Sequence, residues 1–404
     1  MKITLSFLFI AFGLISLANP WYQRFDFGGD ARHRSTAFSI GNEGYIGLGH
    51  INSGVDVEYE DFWKYDPATN AWSQIANYPE GKCFHATGFV IGSKAYVGTG
   101  RLENGTYSKH FYEYDPLTNT WTPKADLPGV ARRGAVSFSI GGKGYCGTGQ
   151  TTSGYSTDFY EYNPTTNQWI PRANFPGIAR TSAVAFTIGD FGYIGTGDSN
   201  SGSTNDFYQY NPAANQWIAK PTVGPVTRQE ACGFAVNGKG YIGTGDDYSS
   251  GNNYSDFWEY NPTTETWTQI EDFAGTARRY LVGLTIGNRA YVGTGTNGTN
   301  FKDFWMFDRN LSLIEQKLDQ LEFSVFPNPC TSYCIFDFKN CLSEQELKTL
   351  QIRLISLDGK EISQNDVSAN ITKVETEFLK AGIYLYSIES NQFPIKTGQL
   401  IIAN

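Results

Sequence analysis

One pattern, repeated along most of the chain, limits what this sequence can become. An aromatic-x-Gly-x-Gly head occurs as Tyr45-Ile-Gly-Leu-Gly, Tyr96-Val-Gly-Thr-Gly, Tyr145-Cys-Gly-Thr-Gly, Tyr193-Ile-Gly-Thr-Gly, Tyr241-Ile-Gly-Thr-Gly and Tyr291-Val-Gly-Thr-Gly. The tyrosines are spaced by 51, 49, 48, 48 and 50 residues. A tail follows the head: Asp61-Phe-Trp-Lys-Tyr-Asp-Pro leads to Trp72, and its counterparts lead to Trp121, Trp169, Trp217 and Trp267. A fixed period of this size marks a repeat architecture, in which each unit buries its apolar face against its neighbours.

Each unit holds four short runs rich in Val, Ile, Phe, Tyr, Trp and Thr, as strands prefer. In the third unit they span roughly 135–140, 143–148, 158–163 and 168–172. The Asn163-Pro164 link reads as a tight turn, with Asn opening it and Pro presetting φ. Asp66-Pro67, Asp115-Pro116, Asn211-Pro212 and Asn261-Pro262 repeat that turn. The two glycines after each tyrosine are two apart, which on a strand places both on one face, flat enough for a neighbouring ring. A four-stranded sheet of about 48 residues is a β-propeller blade.

The length of the unit, the double glycine and the spaced Tyr and Trp resemble the kelch family across residues 21–312. The adjacent Gly-Gly usual in kelch units is Gly-Thr-Gly here, as in Gly147-Thr148-Gly149. The two ends of the repeat region complement each other. Residues 21–32, WYQRFDFGGDAR, align with 169–180, WIPRANFPGIAR, and so read as a lone fourth strand. The sixth unit reaches Asp303–Asp308 and then fails, with Ile314 where tryptophan is expected. The economical solution is a ring of six blades, five complete between Arg32 and Ile270, and a sixth completed by the N-terminal strand pairing near 303–307.

Residues 1–18 read as a secretory signal, with Lys2, an apolar run from Ile3 to Leu17 and a small-x-small end at Ser16-Leu17-Ala18. No other stretch approaches a membrane span. Residues 313–321 are short and polar and read as a linker. The remainder, 322–404, contains Phe326-Pro327-Asn328-Pro329, Leu357-Asp358-Gly359-Lys360 and Ala381-Gly382-Ile383-Tyr384, with alternating runs at 350–357 and 383–389 that read as strands of a small β-sandwich. This order resembles the C-terminal sorting domain of the type IX secretion system, which implies that machinery as a partner, and export followed by surface anchoring or release. The fold class expected is therefore all-β, a six-bladed propeller of kelch-like blades followed by a sandwich. The formal net charge of −9 argues against general nucleic-acid binding. Six cysteines match no CxxC metal pattern. Cys146 and Cys232 stand where sister units carry apolar residues, and one pair among Cys330, Cys334 and Cys341 is open to bridging.

Antiparallel strands place the segments 50–60, 101–109, 150–157, 198–205, 246–255 and 296–302 on one face as long loops. Tyr59, Tyr107, Tyr155, Tyr248 and Tyr254 among small polar residues suit sugar stacking, and equally suit plain solvated loops. Thirteen residues before the repeat tyrosines stand Arg32, Arg132, Arg180, Arg228 and Arg278, with Cys83 in the second unit. Strand three opens with Asp61, Asp158, Asp206, Asp256 and Asp303, with His110 in that same second unit. The joint exception predicts five scaffold pairs, Arg32–Asp61, Arg132–Asp158, Arg180–Asp206, Arg228–Asp256 and Arg278–Asp303. An open arginine ring for a carboxylate or sulfated ligand is the competing reading.

The next two positions vary from unit to unit: His33/Arg34, Phe84/His85, Arg133/Gly134, Thr181/Ser182, Gln229/Glu230 and Arg279/Tyr280. Variation on a repeated frame is where a site can be specific. The candidates for ligand contact are Arg34, His85, Arg133, Gln229, Glu230, Arg279 and Tyr280. Of the four histidines, His33, His50, His85 and His110, no two have helical or tight-turn metal spacing, so no metal or other cofactor is assigned. Binding of a glycan or protein at the cell surface is the expected function, with a sugar-active enzyme as the alternative. The kelch galactose oxidases need a Tyr, Tyr, His, His and Cys set that does not map here. The kelch sialic-acid mutarotases use acid–base groups at the propeller mouth, which Glu230 beside Arg228 and Arg278 would imitate.

Overall fold

The computed structural model describes residues 19–309 except 53, 55, 248 and 249, and residues 322–403 except 340–346, 391 and 392. The leader 1–18, the linker 313–321, Tyr248, Ile314 and Cys341 lie outside the described residues. The repeat region forms four-stranded antiparallel sheets, six of them among the described residues. Sheet one holds Thr36–Ile40, Glu43–Gly47, Phe62–Asp66 and Ala71–Ile75 in that spatial order. Sheets two to five repeat the order, starting from Thr87–Ile91, Val136–Ile140, Val184–Ile188 and Cys232–Val236. Each first strand touches the first strand of the next sheet, and that of sheet six, Val282–Ile286, touches that of sheet one, so the sheets close into a ring.

Alternation along the first strands explains how they serve two environments. Thr36, Phe38 and Ile40 are buried against the next strand layer. Ala37, Ser39, Gly88, Ser137 and Gly233, on the other face, line a narrow axial cavity of about 250 Å³. Beyond their first residue the second strands are buried, and Tyr45, Ile46, Ile194 and Ile242 are inaccessible to within 1%.

The N-terminal strand completes sheet six. Trp21–Arg24 runs antiparallel to Phe304–Phe307, with Trp21 opposite Phe307 and Arg24 opposite Phe304. The Trp21 ring is 4% exposed and lies 4.8–5.2 Å, centroid to centroid, from Phe307, Phe257 and Phe273.

The double glycines work differently from the flat face expected of them. The first of each pair lies against its own sheet: a Cβ on Gly147 would stand 2.4 Å from the Asp158 carbonyl and 2.6 Å from the Phe159 ring. The second lies past the strand with φ near +100°, as at Gly149 (φ 96°) and Gly197 (φ 107°), a backbone that favours glycine. Its N–H reaches the next sheet: Gly149 donates to the Arg180 carbonyl at 2.7 Å and Gly295 to that of Arg32 at 2.9 Å, across the closure. The neighbouring ring packs instead on the glycine before the tyrosine. Gly144, Gly192 and Gly240 meet Phe89, Phe138 and Phe186 of the preceding sheet.

The segments expected as long loops are shorter hairpins. His50–Ile51 pairs with Val57–Glu58, Gln150–Thr151 with Gly154–Tyr155, Asp198–Ser199 with Gly202–Ser203, and Asp246–Asp247 with Asn252–Asn253. Backbone pairing in these segments satisfies groups that a solvated loop would leave to water.

Residues 322–403 form two sheets, one of Ser324–Phe326, Tyr333–Asp337 and Ile371–Glu375, the other of Glu361–Asp366, Leu350–Ser356, Gly382–Ser390 and Phe393–Ile402. Cys334, Phe336, Val374, Ile352, Leu354, Ile388 and Leu400 make one core between them, as a sandwich requires. Cys330 and Cys334 are free buried thiols. Among the described residues no helix is long and apolar enough to cross a membrane.

Candidate functional site

The hairpin face is built on the repeated arginines, which are consumed by the scaffold. Arg32, Arg132, Arg180, Arg228 and Arg278 are at most 1% exposed. Each forks onto its carboxylate, Asp61, Asp158, Asp206, Asp256 and Asp303, with second contacts of 2.7–3.0 Å. Each also donates to the carbonyl after its first repeat glycine, as Arg132 does to Thr148 at 2.9 Å. Burial works against the Asp158 and Asp256 carboxylates, but the hydrogen bonds and charge of Arg132 and Arg228 outweigh it and hold both below the usual carboxylate range. Tyr59 and Tyr254, which suited sugar stacking in the sequence, lie over Arg32 and Arg228 at 3.6 and 5.2 Å. In sheet two Cys83 is fully buried, and Glu80 fills the gap in the polar frame, accepting from Ser108 at 2.7 Å and contacting His110 Nδ1 at 2.8 Å.

The varying positions beside those arginines form two concentric sets. Positions 33, 84, 133, 181, 229 and 279 pair backbone to backbone with His50, Arg101, Gln150, Asp198, Asp246 and Thr296. Positions 34, 85, 134, 182, 230 and 280 all bend with φ between 53° and 60°. His85 N–H bonds the Arg34 carbonyl, Gly134 that of His85, Ser182 that of Gly134, Glu230 that of Ser182 and Tyr280 that of Glu230, at 2.8–3.2 Å. Left-handed backbone at a non-glycine residue costs on the order of 1–2 kcal/mol. The chain of bonds between sheets holds that bend at Arg34, His85, Ser182, Glu230 and Tyr280.

Four of the candidate residues meet in one network. The Tyr280 hydroxyl bonds both the Arg34 guanidinium and a Glu230 carboxyl oxygen. Arg279 reaches the other Glu230 oxygen at 3.2 Å and Asp246 at 2.8 Å. Arg34 donates to His50 Nε2 at 2.9 Å, and the His50 and His33 Nε2 atoms are 2.9 Å apart. The rings of His85 and Tyr280 lie 5.2 Å apart. Arg133 stands outside this network, on Gln150 Oε1 at 2.9 Å and over the Tyr107 ring at 5.5 Å. Gln229 is buried, facing Asp246 across the backbone pair, and so supports the wall of the site. Glu230 does not sit in the Arg228 and Arg278 environment expected for it, because those guanidiniums are turned onto Asp256 and Asp303.

Burial dominates the electrostatics. It raises Glu230 to about 8, with Asp246 adding to it and Arg34 and Arg279 opposing it, so the carboxyl carries its proton at neutral pH. Burial, then Arg34, lowers His33 to about 4; burial, then His33 and Arg34, lowers His50 to about 2; and His85 is pushed well below the ordinary histidine range. All three are neutral imidazoles. Among the described residues no group of three or more His, Cys, Asp or Glu side chains is arranged to hold a metal ion.

Sequence reasoning singled out position 33 as variable but missed His50, Arg101 and Asp246. A signal existed: His50, Arg101, Gln150, Asp198, Asp246 and Thr296 each stand five residues after a repeat tyrosine, and that position varies as strongly as the two singled out. Beside it, Arg101, Tyr107 and Arg133 line a cavity of about 650 Å³ on the hairpin face.

Comparison with known proteins places these features. Residues 33–225 and 132–280 match the KLHDC2/KLHL20/DRC7 Kelch-repeats domain, and residues 324–403 match the secretion system C-terminal sorting domain. N-acetylneuraminate epimerases of Shigella flexneri serotype 5b and of Escherichia coli strain K12 are 33% identical over 87 residues, 21% of this chain. That stretch spans 23% of the length of these curated relatives. A solved structure titled "Structure of YjhT" shares the fold, with a TM-score of 0.60 and 18% identity over 70% of this chain and 95% of that one. The chain belongs to the Kelch-repeat family, as a β-propeller followed by a type IX secretion sorting domain.

Proposed function

We propose that the hairpin face recognises an anionic glycan, a sugar bearing a carboxylate, outside the cell. One observation carries this reading. Arg34, Arg101 and Arg133 come from three consecutive sheets, and among the described residues none of them forms an ion pair, whereas the five repeated arginines all do. The three feel one another: burial first, then the charges of Arg34 and Arg101, lower the Arg133 pKa. Converging guanidiniums of this kind suit a carboxylate, and Tyr107 and Tyr155 supply stacking surface beside them. Asp198 accepts from Tyr155 at 2.6 Å and, with the protonated Glu230 opposite, offers hydroxyl-recognising groups on the far arc. Binding of the mature chain to an array of acidic and neutral sugars tests this. Acidic sugars should be retained, and R34A/R133A should lose them; equal binding of neutral sugars would overturn it.

Export follows from the two ends of the chain. Residues 1–18 serve as the cleaved leader, 19–312 as the propeller, and 322–404 as the domain read by the type IX machinery, delivering the protein to the outer-membrane surface or the medium. A chain ending at about residue 318 should keep the propeller's unfolding transition and lose surface delivery. Normal display without the tail would refute the assignment.

A second reading, a sugar-active enzyme, draws on the Glu230–Tyr280 contact. A carboxyl raised to about 8 and bonded to a phenol is suited to general acid–base exchange at a sugar ring oxygen. The short match to N-acetylneuraminate epimerases favours that class. Anomer exchange of N-acetylneuraminate, followed by NMR, separates the readings: faster exchange with wild type and none with E230Q supports the enzyme, and no acceleration leaves binding alone.

A further inference from the structure

The aromatic side chains of the hairpins divide into two groups. Tyr59, Tyr254 and Phe301 lie over the repeated Arg32, Arg228 and Arg278, at 3.6, 5.2 and 3.7 Å. They cover the buried frame and are committed to it. Tyr107 and Tyr155, on the hairpins of sheets two and three, lie over no repeated arginine among the described residues. Sheet two has no such arginine to cover, since Cys83 stands in its place. Tyr155 is turned toward the next sheet, where its hydroxyl donates to Asp198 at 2.6 Å.

These two free rings alternate with charges across adjacent sheets. Taken by sheet, the order is Arg101 and Tyr107, then Arg133 and Tyr155, then Asp198. Arg101 is bridged to Tyr107 backbone to backbone. Its guanidinium lies 5.3 Å from the Phe84 ring and, among the described residues, has no ion pair or side-chain hydrogen bond. Arg133 lies 5.5 Å from the Tyr107 ring and commits its Nε to Gln150 at 2.9 Å, which leaves its other N–H donors to spare. It stands near Tyr155 as well: burial raises that phenol to about 12, Asp198 adds to the rise and the Arg133 charge opposes it. The cavity of about 650 Å³ between these groups is lined by Arg101, Tyr107 and Arg133, with the hydroxyls of Thr106 and Thr152, and no carboxylate lines it. A carboxylate is filled by one forked guanidinium. Two guanidiniums with donors to spare therefore match two anionic groups, and two free rings match two sugar faces.

Resting on the anionic-glycan reading, we propose that this row binds the interior of a linear acidic polysaccharide: two consecutive sugar units stack on Tyr107 and Tyr155, and their carboxylates fork onto Arg101 and Arg133. The cavity is within the range that encloses a ligand of this size. Asp198 ends the row with a negative charge. It accepts hydroxyl groups and disfavours a third acidic unit, so the ligand is read as a pair.

Calorimetry of the mature full-length chain tests this with galacturonate and mannuronate, each as monomer, dimer and trimer, beside maltose and maltotriose. In an acidic series the dimer should bind at least about tenfold more tightly than the monomer, because the second unit joins the first on one chain. The trimer should add little. R101A and Y155A should each bring the dimer down toward the monomer. Added salt should weaken the dimer more steeply than the monomer, a measurement on the wild-type chain alone. Acids that bind without any gain from monomer to dimer would overturn this inference and leave the anionic-glycan reading standing. The same gain along the neutral series would also overturn it, and no binding by any acid would overturn both.

Discussion

Arg132 and Arg133 are adjacent, yet they belong to different systems. The first is buried on Asp158 and recurs in five sheets; the second is half-buried on Gln150 and Tyr107 and recurs in none of the neighbouring positions except as Arg279. A similar contrast separates Arg32 from Arg34, whereas Arg279, beside Arg278, is paired with Glu230 and Asp246. Repetition commits a charge to holding the ring, since every sheet poses the same geometric problem. Variation just beyond it leaves Arg34 and Arg133 without an ion pair among the described residues, on His50, Tyr280 and Gln150 instead. Sheet two tests the rule from inside: it lacks the arginine and the aspartate together, and Cys83 packs in the vacated core.

The largest expected effect lies in the scaffold's closure. Burying Trp21 removes about 150–250 Å² from water, which at about 25 cal/mol/Å² is roughly 4–6 kcal/mol as an upper bound. Deleting residues 19–27 should therefore lower the melting temperature sharply and expose the edge of Phe304–Phe307. An unchanged melting curve would mean that the ring does not depend on this strand.

Next comes the repeated pair. D206A leaves the fully buried Arg180 without its carboxylate and should cost about 3–5 kcal/mol in denaturant unfolding. The double variant R180M/D206A should cost distinctly less, as the natural double loss in sheet two suggests. Equal costs would show that the charge itself is not what makes the single loss expensive.

The variable network should instead show itself through pH. Glu230 is raised from its ordinary 4.5 to about 8, so its contribution to stability is fully present below about pH 4.5 and is lost as pH rises through 8. E230Q is neutral throughout, so its melting temperature should gain on wild type across that window. His33 has the opposite sign: lowered from 6.5 to about 4, it contributes fully above pH 6.5 and loses that contribution as pH falls through 4. A constant gap between E230Q and wild type from pH 4.5 to 9 would show that Glu230 ionises normally.

The smallest stability effect is expected at Arg133. R133A should change unfolding free energy by no more than about 0.5 kcal/mol, while weakening acidic-sugar binding about tenfold. A large loss of stability would return Arg133 to the scaffold and erase the contrast with Arg132.

The repeat made the propeller legible before any coordinates. The period, the turns, the five arginine–aspartate pairs and the complementary ends all follow from spacing, because each sheet meets the same neighbour in the same way. The sandwich at 350–356 and 382–390 was legible from alternation for the same local reason. The glycines were misassigned because a two-residue spacing cannot tell a strand position from the left-handed turn just beyond it. The loops were misassigned because two-residue hairpins carry no hydrophobic pattern of their own.

What periodicity could not settle was the meeting of residues from different sheets. Position 280 was singled out, but its contact with Arg34, 246 residues away, exists only because the ring closes. The same closure brings Asn300 to His33 and Met306 beside Arg24. Sequence alone determined the unit, its internal pairs and the positions free to vary, since these depend on neighbours at a fixed offset. Tertiary structure decided which variable side chains share one low-dielectric space. That depends on the curvature of the whole ring, and it is what raises Glu230 and brings Arg101 and Arg133 to one cavity.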